Sequence, residues 1–163
     1  MNELVIVVVE DESEVRAAIV RDLAPLAEGI RIDEADTVDD ARQALSEAAE
    51  AGDRVGLVLA DHRLPGESGV DLLVSINADP ELRDVRTILI TGQAGHQDTI
   101  RAINEAGLDW YFAKPWDPAE LVSVIVAQLT TFVIEAGLDP LRYVRVLDGP
   151  RLLEHYARHA RPD

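Results

Sequence analysis

Short apolar runs and amphipathic segments alternate along most of the chain. Leu4 to Val9, Val55 to Ala60 and Arg86 to Thr91 are brief and rich in Val, Ile and Leu, the pattern of strands covered on both faces. Weaker runs at Ile30 to Ala35 and Trp110 to Ala113 read the same way. Between them, Glu14 to Ala27, Val38 to Ala51, Gly69 to Asn77 and Gln97 to Ala106 repeat apolar residues at helical spacing. Pro118 opens a fifth helix, at a position where its missing N–H is not needed. A βα unit repeated five times predicts an α/β fold: a parallel sheet with right-handed crossovers and helices on both faces.

The fifth helix, read over Ala119 to Ala136, is more apolar than one sheet-facing stripe requires, and Leu129, Phe132, Val133 and Ile134 predict a second surface over it. The stretch GLDPLRYVRVLDGPRLLEHYARHARPD then reads as a stop, a short amphipathic piece, an Asp-Gly-Pro break and a further helix. Leu152, Leu153, Tyr156 and Ala157 would share one face of that helix. The expected division is a domain over 1–134 and a helical extension over 135–163, too small for a winged helix or a catalytic module. The extension has three open uses: covering its own fifth helix, docking a partner, or swapping across a dimer. Because exposed apolar patches mark interfaces, a homodimer through the fifth helix and the tail is expected.

Charge narrows the partners. The chain of 163 residues has 31 acidic and 15 basic residues, for a net charge of −16. Residues 135–163 hold five of each, so the excess lies upstream, and the shift coincides with the expected boundary. Such a field repels phosphate backbones and anionic membranes, which argues against direct nucleic-acid binding. With no cysteine there is no disulfide, thiolate metal site or thiol nucleophile. Leu4 to Val9 follows Glu3 and is too short for a signal-peptide core, and the uncharged stretch Leu121 to Ile134 is too short to span a bilayer. A cytoplasmic protein is the expectation.

The chemistry gathers where the strands end. In an open α/β sheet ligands sit beyond the carboxyl ends of the strands. The third strand runs into Asp61 in VGLVLADHRLPGESG, and the first into Glu10 and Asp11 in VEDE. Three carboxylates at one edge repel unless a cation intervenes, and hard oxygen ligands are what Mg²⁺ prefers. The fourth strand ends in Thr91 and Gly92, and the fifth delivers Lys114, the one lysine beside 14 arginines. A carboxylate nucleophile, two metal-binding acids, a hydroxyl and an ammonium are the parts of a phosphoryl-transfer site.

Taken singly, each residue has an ordinary explanation. Asp61 could end a strand or cap a helix; Glu10 and Asp11 could favour the start of the first helix, with Ser13 another candidate cap. Thr91, Lys114 and Tyr111 could be a strand end, a solvated charge and a core aromatic. His62 is assigned a structural or partner-facing role. His96, His155 and His159 lack a third ligand at metal spacing, and no metal site is assigned to them.

Together the motifs resemble the receiver domain of two-component response regulators over roughly residues 3–134. They are Glu10-Asp11 in VVVEDE, Asp61 in LADHRLPGESGVDLL, Thr91 in ILITG and Lys114 in YFAKPW, with Glu10 standing where Asp is common. The resemblance implies a flavodoxin-like sheet of order 2-1-3-4-5. It implies that Asp61 accepts a phosphoryl group from a histidine kinase or phosphotransfer protein. Mg²⁺ would be held by Glu10, Asp11, Asp61 and the backbone carbonyl of Arg63. Thr91 and Tyr111 would form the conformational switch, and Arg63 and Gln93 would modulate phosphate lifetime. The implied function is a signalling switch, not an enzyme in its own right, acting on an unidentified protein effector without an output domain of its own. The competing readings are a phosphorylation-independent scaffold and a fragment of a longer regulator; Arg63 also stands where an Asp-nucleophile phosphatase would have its second acid.

Overall fold

The structure, a computed structural model, describes residues 2–92 and 97–160. The described residues form five parallel strands: β1 (Leu4–Val9), β2 (Arg31–Ala35), β3 (Arg54–Asp61), β4 (Arg86–Thr91) and β5 (Trp110–Ala113). Their order is β2-β1-β3-β4-β5, the order the resemblance implies. The helices are α1 (Ser13–Asp22), α2 (Val38–Ala51), α3 (Gly69–Ala78), α4 (Gln97–Ala106), α5 (Pro118–Glu135) and α6 (Gly149–His159).

Alternation along the strands builds two cores. Leu4, Ile6 and Val8 of β1 turn to the face covered by α1 and α5, while Val5, Val7 and Val9 turn to the face covered by α2 and α3. The β1–β3 register slips between Val5 and Ile6, opposite Gly56. A side chain at Gly56 would come within 2.9 Å of Leu129 and Phe132, so the missing Cβ lets α5 lie close against the sheet.

The helix ends follow local chemistry, with some departures from expectation. Thr37 and Ser68 cap α2 and α3 by accepting from Asp40 and Asp71 N–H, and Asp117 caps α5 ahead of Pro118. Ser13 is the first helical residue of α1 and not its cap; Glu12 holds that position and makes no side-chain capping bond. The first helix stops at Asp22, short of Ala27, and a 3-10 turn over Ala24–Leu26 follows. Pro25 accounts for this, because it has no N–H to continue the α-helical ladder.

By length and composition α5 could cross a bilayer, but here it is a core helix with Leu121, Ile125, Leu129, Thr130, Phe132 and Val133 buried. The tail supplies part of that cover. A 3-10 turn at Pro140–Tyr143 and α6 bring Tyr143, Leu147 and Leu152 into the same core as Leu129 and Phe132. The buried Thr130 Oγ1 donates to the Val126 carbonyl at 2.7 Å and accepts Asp148 N–H at 3.2 Å. Arg151 reaches Thr131 Oγ1 at 3.0 Å.

Of the four residues behind the expected homodimer, Leu129, Phe132 and Val133 are buried under the sheet and the tail, while Ile134 is only partly buried. The same packing divides the predicted face of α6. Leu152 is fully buried, whereas Leu153 and Tyr156 are 50% and 44% exposed.

Candidate phosphoacceptor site

Glu10 follows β1 directly, its N–H donating to the Ala35 carbonyl at 3.0 Å in a last rung toward β2. Asp11 comes next and is exposed. Asp61 is the final residue of β3, 6% exposed, and Glu10 is wholly buried. Adjacent parallel strands ending at one edge bring the three side chains together, with a carboxylate oxygen from each within 4.8 Å of the others.

Lys114 enters from the turn after β5, its backbone N–H bonded to the Thr91 carbonyl at 3.0 Å. Its Nζ lies 2.9 Å from Glu10 Oε2 and 3.4 Å from Asp61 Oδ1. Thr91 ends β4 and is buried, opposite Ala113 in the β4–β5 register. The turn carrying Lys114 is tied to α1 by Trp116, whose indole N–H donates to Asp22 Oδ2 at 2.8 Å.

The electrostatics follow from burial. Desolvation raises the carboxyl pKa values of Glu10 and Asp61 above the ordinary range, and bonds to Lys114 offset this only in part. For Lys114, burial disfavours the charge, but Glu10 and Asp61 outweigh it and hold the ammonium pKa above its usual value. A cluster of hard oxygen donors whose charges are under strain suits a small divalent cation.

Gly69 shapes the floor of the site. A Cβ there would lie 1.7 Å from the Asp61 carbonyl oxygen, so only glycine lets α3 begin this close to the end of β3. The intervening loop closes with Gly69 N–H donating to the His62 carbonyl at 3.0 Å. His62 Nδ1 is buried without a hydrogen-bond partner among the described residues.

Arg63 is exposed in the loop after Asp61, and Gln93 and His96 fall outside the described residues. Tyr111 is 44% exposed and lines a cavity of about 500 Å³ with Ile103, Trp110, Trp116 and Glu120. Arg16 drew no attention in the sequence, yet its Nη1 donates to the Glu10 carbonyl at 2.7 Å and its Nε to Glu34 Oε1 at 3.2 Å. The available signal was a cation in the first turn of the helix that follows an acidic pair.

The sequence profile of the response regulator receiver domain matches residues 6–126. The chain belongs to this family. The chain is similar to the phosphate regulon transcriptional regulatory protein PhoB of Escherichia coli (strain K12), at 32% identity over 159 residues. That match covers 91% of this chain and 66% of PhoB. The hydrogenase transcriptional regulatory protein HoxA of Cupriavidus necator is 33% identical over 125 residues, covering 76% of this chain and 24% of HoxA. The chain thus spans just under two thirds of PhoB and about a quarter of HoxA. Among solved structures, the signal receiver domain of an HD domain-containing protein from Pseudomonas fluorescens Pf-5 superposes with a TM-score of 0.72 at 26% identity, over 84% of this chain and 94% of that one. The CheY-like receiver domain protein of Methanospirillum hungatei JF-1 gives 0.62 at 25% identity, over 83% and 99%.

Proposed function

We propose that this receiver domain accepts a phosphoryl group on Asp61 from the phosphohistidine of a histidine kinase or phosphotransfer protein and passes the change on through protein contacts. The observation that carries this reading is the convergence of Glu10, Asp11 and Asp61 with Lys114 seated between the two buried acids.

An Asp61 oxygen attacks phosphorus, a new O–P bond forms, and the P–N bond to the donor imidazole breaks with its electron pair left on nitrogen. Mg²⁺ held by Glu10, Asp11, Asp61 and the Arg63 carbonyl would neutralise charge on the transferring phosphoryl oxygens. Lys114 offers a positive charge to one of those oxygens, and the Thr91 hydroxyl a hydrogen bond to another.

Movement of Thr91 and Lys114 toward the new oxygens changes the space beside β5. The outward Tyr111 then turns inward, and the face of α4, β5 and α5 shifts between two populations. Arg63 and Gln93, each two residues beyond a site residue, flank the path of the hydrolytic water. In this reading residues 1–134 are the switch and residues 135–163 brace α5, and with a net charge of −16 the cytoplasmic output runs through protein contacts and not direct binding to nucleic acid.

Incubation with a small phosphodonor and Mg²⁺ should add one base-labile phosphoryl group, seen by mass spectrometry, and Asp61→Asn should abolish it. Equal labelling of the substituted protein would overturn the assignment.

A further inference from the structure

Arg16 stands where an isolated helix would not favour a cation. It lies in the first turn of α1, at the end where the helix dipole favours acids. Its guanidinium nevertheless reaches back over the turn to the Glu10 carbonyl oxygen and sideways to Glu34 on β2, with about four fifths of the side chain covered. The Glu10 carbonyl belongs to the peptide that joins Glu10 to Asp11. That peptide lies past the end of β1, with Glu10 N–H still bonded to Ala35 but the chain already turning toward α1. The exposed Asp11 side chain hangs from this peptide, and the peptide plane sets where its carboxylate meets those of Glu10 and Asp61.

We infer that Arg16 is a positioning residue for the cation site: by gripping the Glu10 carbonyl it holds the Glu10–Asp11 peptide, and through Asp11 it sets the affinity of the three-carboxylate cluster for a divalent cation. The inference rests on reading that cluster as a Mg²⁺ site.

Two effects of opposite sign compete. As a nearby positive charge, Arg16 repels a divalent cation, so its loss would tighten binding by charge alone. As a clamp, it preorganises a ligand, so its loss loosens binding; partners that orient metal ligands are typically worth about 10- to 100-fold in affinity. The clamp dominates here because Glu34 neutralises much of the guanidinium charge, while the 2.7 Å bond to the carbonyl acts directly on the ligand-bearing peptide.

The test is calorimetric titration of the full chain with Mg²⁺, repeated with Mn²⁺ by electron paramagnetic resonance. Arg16→Ala should weaken binding by about 10-fold or more. Arg16→Lys, which keeps one donor for the carbonyl, should fall between that variant and wild type. In an Asp11→Ala background the Arg16→Ala change should add less than about 2-fold, since the two act through one ligand. Affinity in Arg16→Ala equal to or tighter than wild type overturns the inference, and full additivity with Asp11→Ala overturns the route through Asp11. Should Arg16→Ala fail to fold, Arg16→Lys decides alone: wild-type or tighter affinity overturns. Wild-type protein with no saturable Mg²⁺ binding would instead overturn the reading of the cluster itself.

Discussion

Lys114 Nζ stands nearer to Glu10 than to Asp61, at 2.9 Å against 3.4 Å. The ammonium is therefore shared between the acid that closes the first strand and the candidate nucleophile, with the shorter contact going to the fully buried carboxylate. Both acids keep raised pKa values despite it, chiefly because burial disfavours their charged forms more than Lys114 favours them.

A stability prediction follows from the direction of those shifts. A carboxyl whose pKa is higher in the folded than in the unfolded state contributes its full stability below the unfolded value and loses it as pH rises through the folded value. Asp61 is such a group, so at neutral pH without Mg²⁺ its charge costs stability. Asp61→Asn should then be more stable than wild type in urea at pH 7, with the advantage shrinking as pH falls through the raised folded pKa of Asp61 and gone below the ordinary aspartate value near 3.8. Lower stability of the variant at pH 7 would show that Lys114 compensates the charge in full.

Removing the cation should have the opposite effect. Breaking a deeply buried ion pair by deleting one partner costs about 3 to 5 kcal/mol, and solvent reaching Lys114, which is about a fifth exposed, reduces this. Lys114→Met should lose roughly 1 to 3 kcal/mol at pH 7 in the absence of divalent cation. Saturating Mg²⁺ should return part of that loss by supplying charge to the same acids. Unchanged urea midpoints without Mg²⁺ would mean that the Glu10 contact adds nothing to folding.

Gly69 offers a test of how tightly the nucleophile is held. Its absent Cβ would overlap the Asp61 carbonyl oxygen at 1.7 Å, a backbone atom that cannot step aside as a flexible side chain would. Gly69→Ala should cost at least the ~1 to 3 kcal/mol typical of overpacking and should slow labelling of Asp61 by displacing the end of β3. A variant with wild-type melting and labelling would show that α3 can shift without moving Asp61.

The strand ends were legible because each site residue directly follows an apolar run, and parallel topology takes such positions to one edge. What the residue pattern could not show was which contacts win locally. Arg16 acts on a backbone carbonyl, which leaves no mark of residue type at the position contacted. Leu152 and Leu153 are equally apolar neighbours, and only the docking angle of α6 decides that the first is buried and the second half exposed. Tyr111 is likewise a residue whose type does not fix its exposure, and it stands 44% exposed at the end of the sheet.

Of the three uses open to the tail, its packing supports the first, cover for its own fifth helix. Leu152 packs in the core that contains Leu129 and Phe132, and Asp148 N–H satisfies the buried Thr130 hydroxyl. Leu152→Ala should therefore cost about 2 kcal/mol, the lower end for a core leucine because α6 has little other buried surface. Ending the chain after Ala136 should uncover the tail-facing sides of Leu129 and Phe132 and promote self-association in sedimentation, while the full chain does not associate through those residues. Gly149→Ala gives an independent check, since a Cβ there would sit 2.6 Å from the Val144 carbonyl oxygen and push the start of α6 away from its seat. A truncated chain that stays monomeric and as stable as the full one would show that the sheet alone covers α5 well enough, and would leave the tail free for a partner.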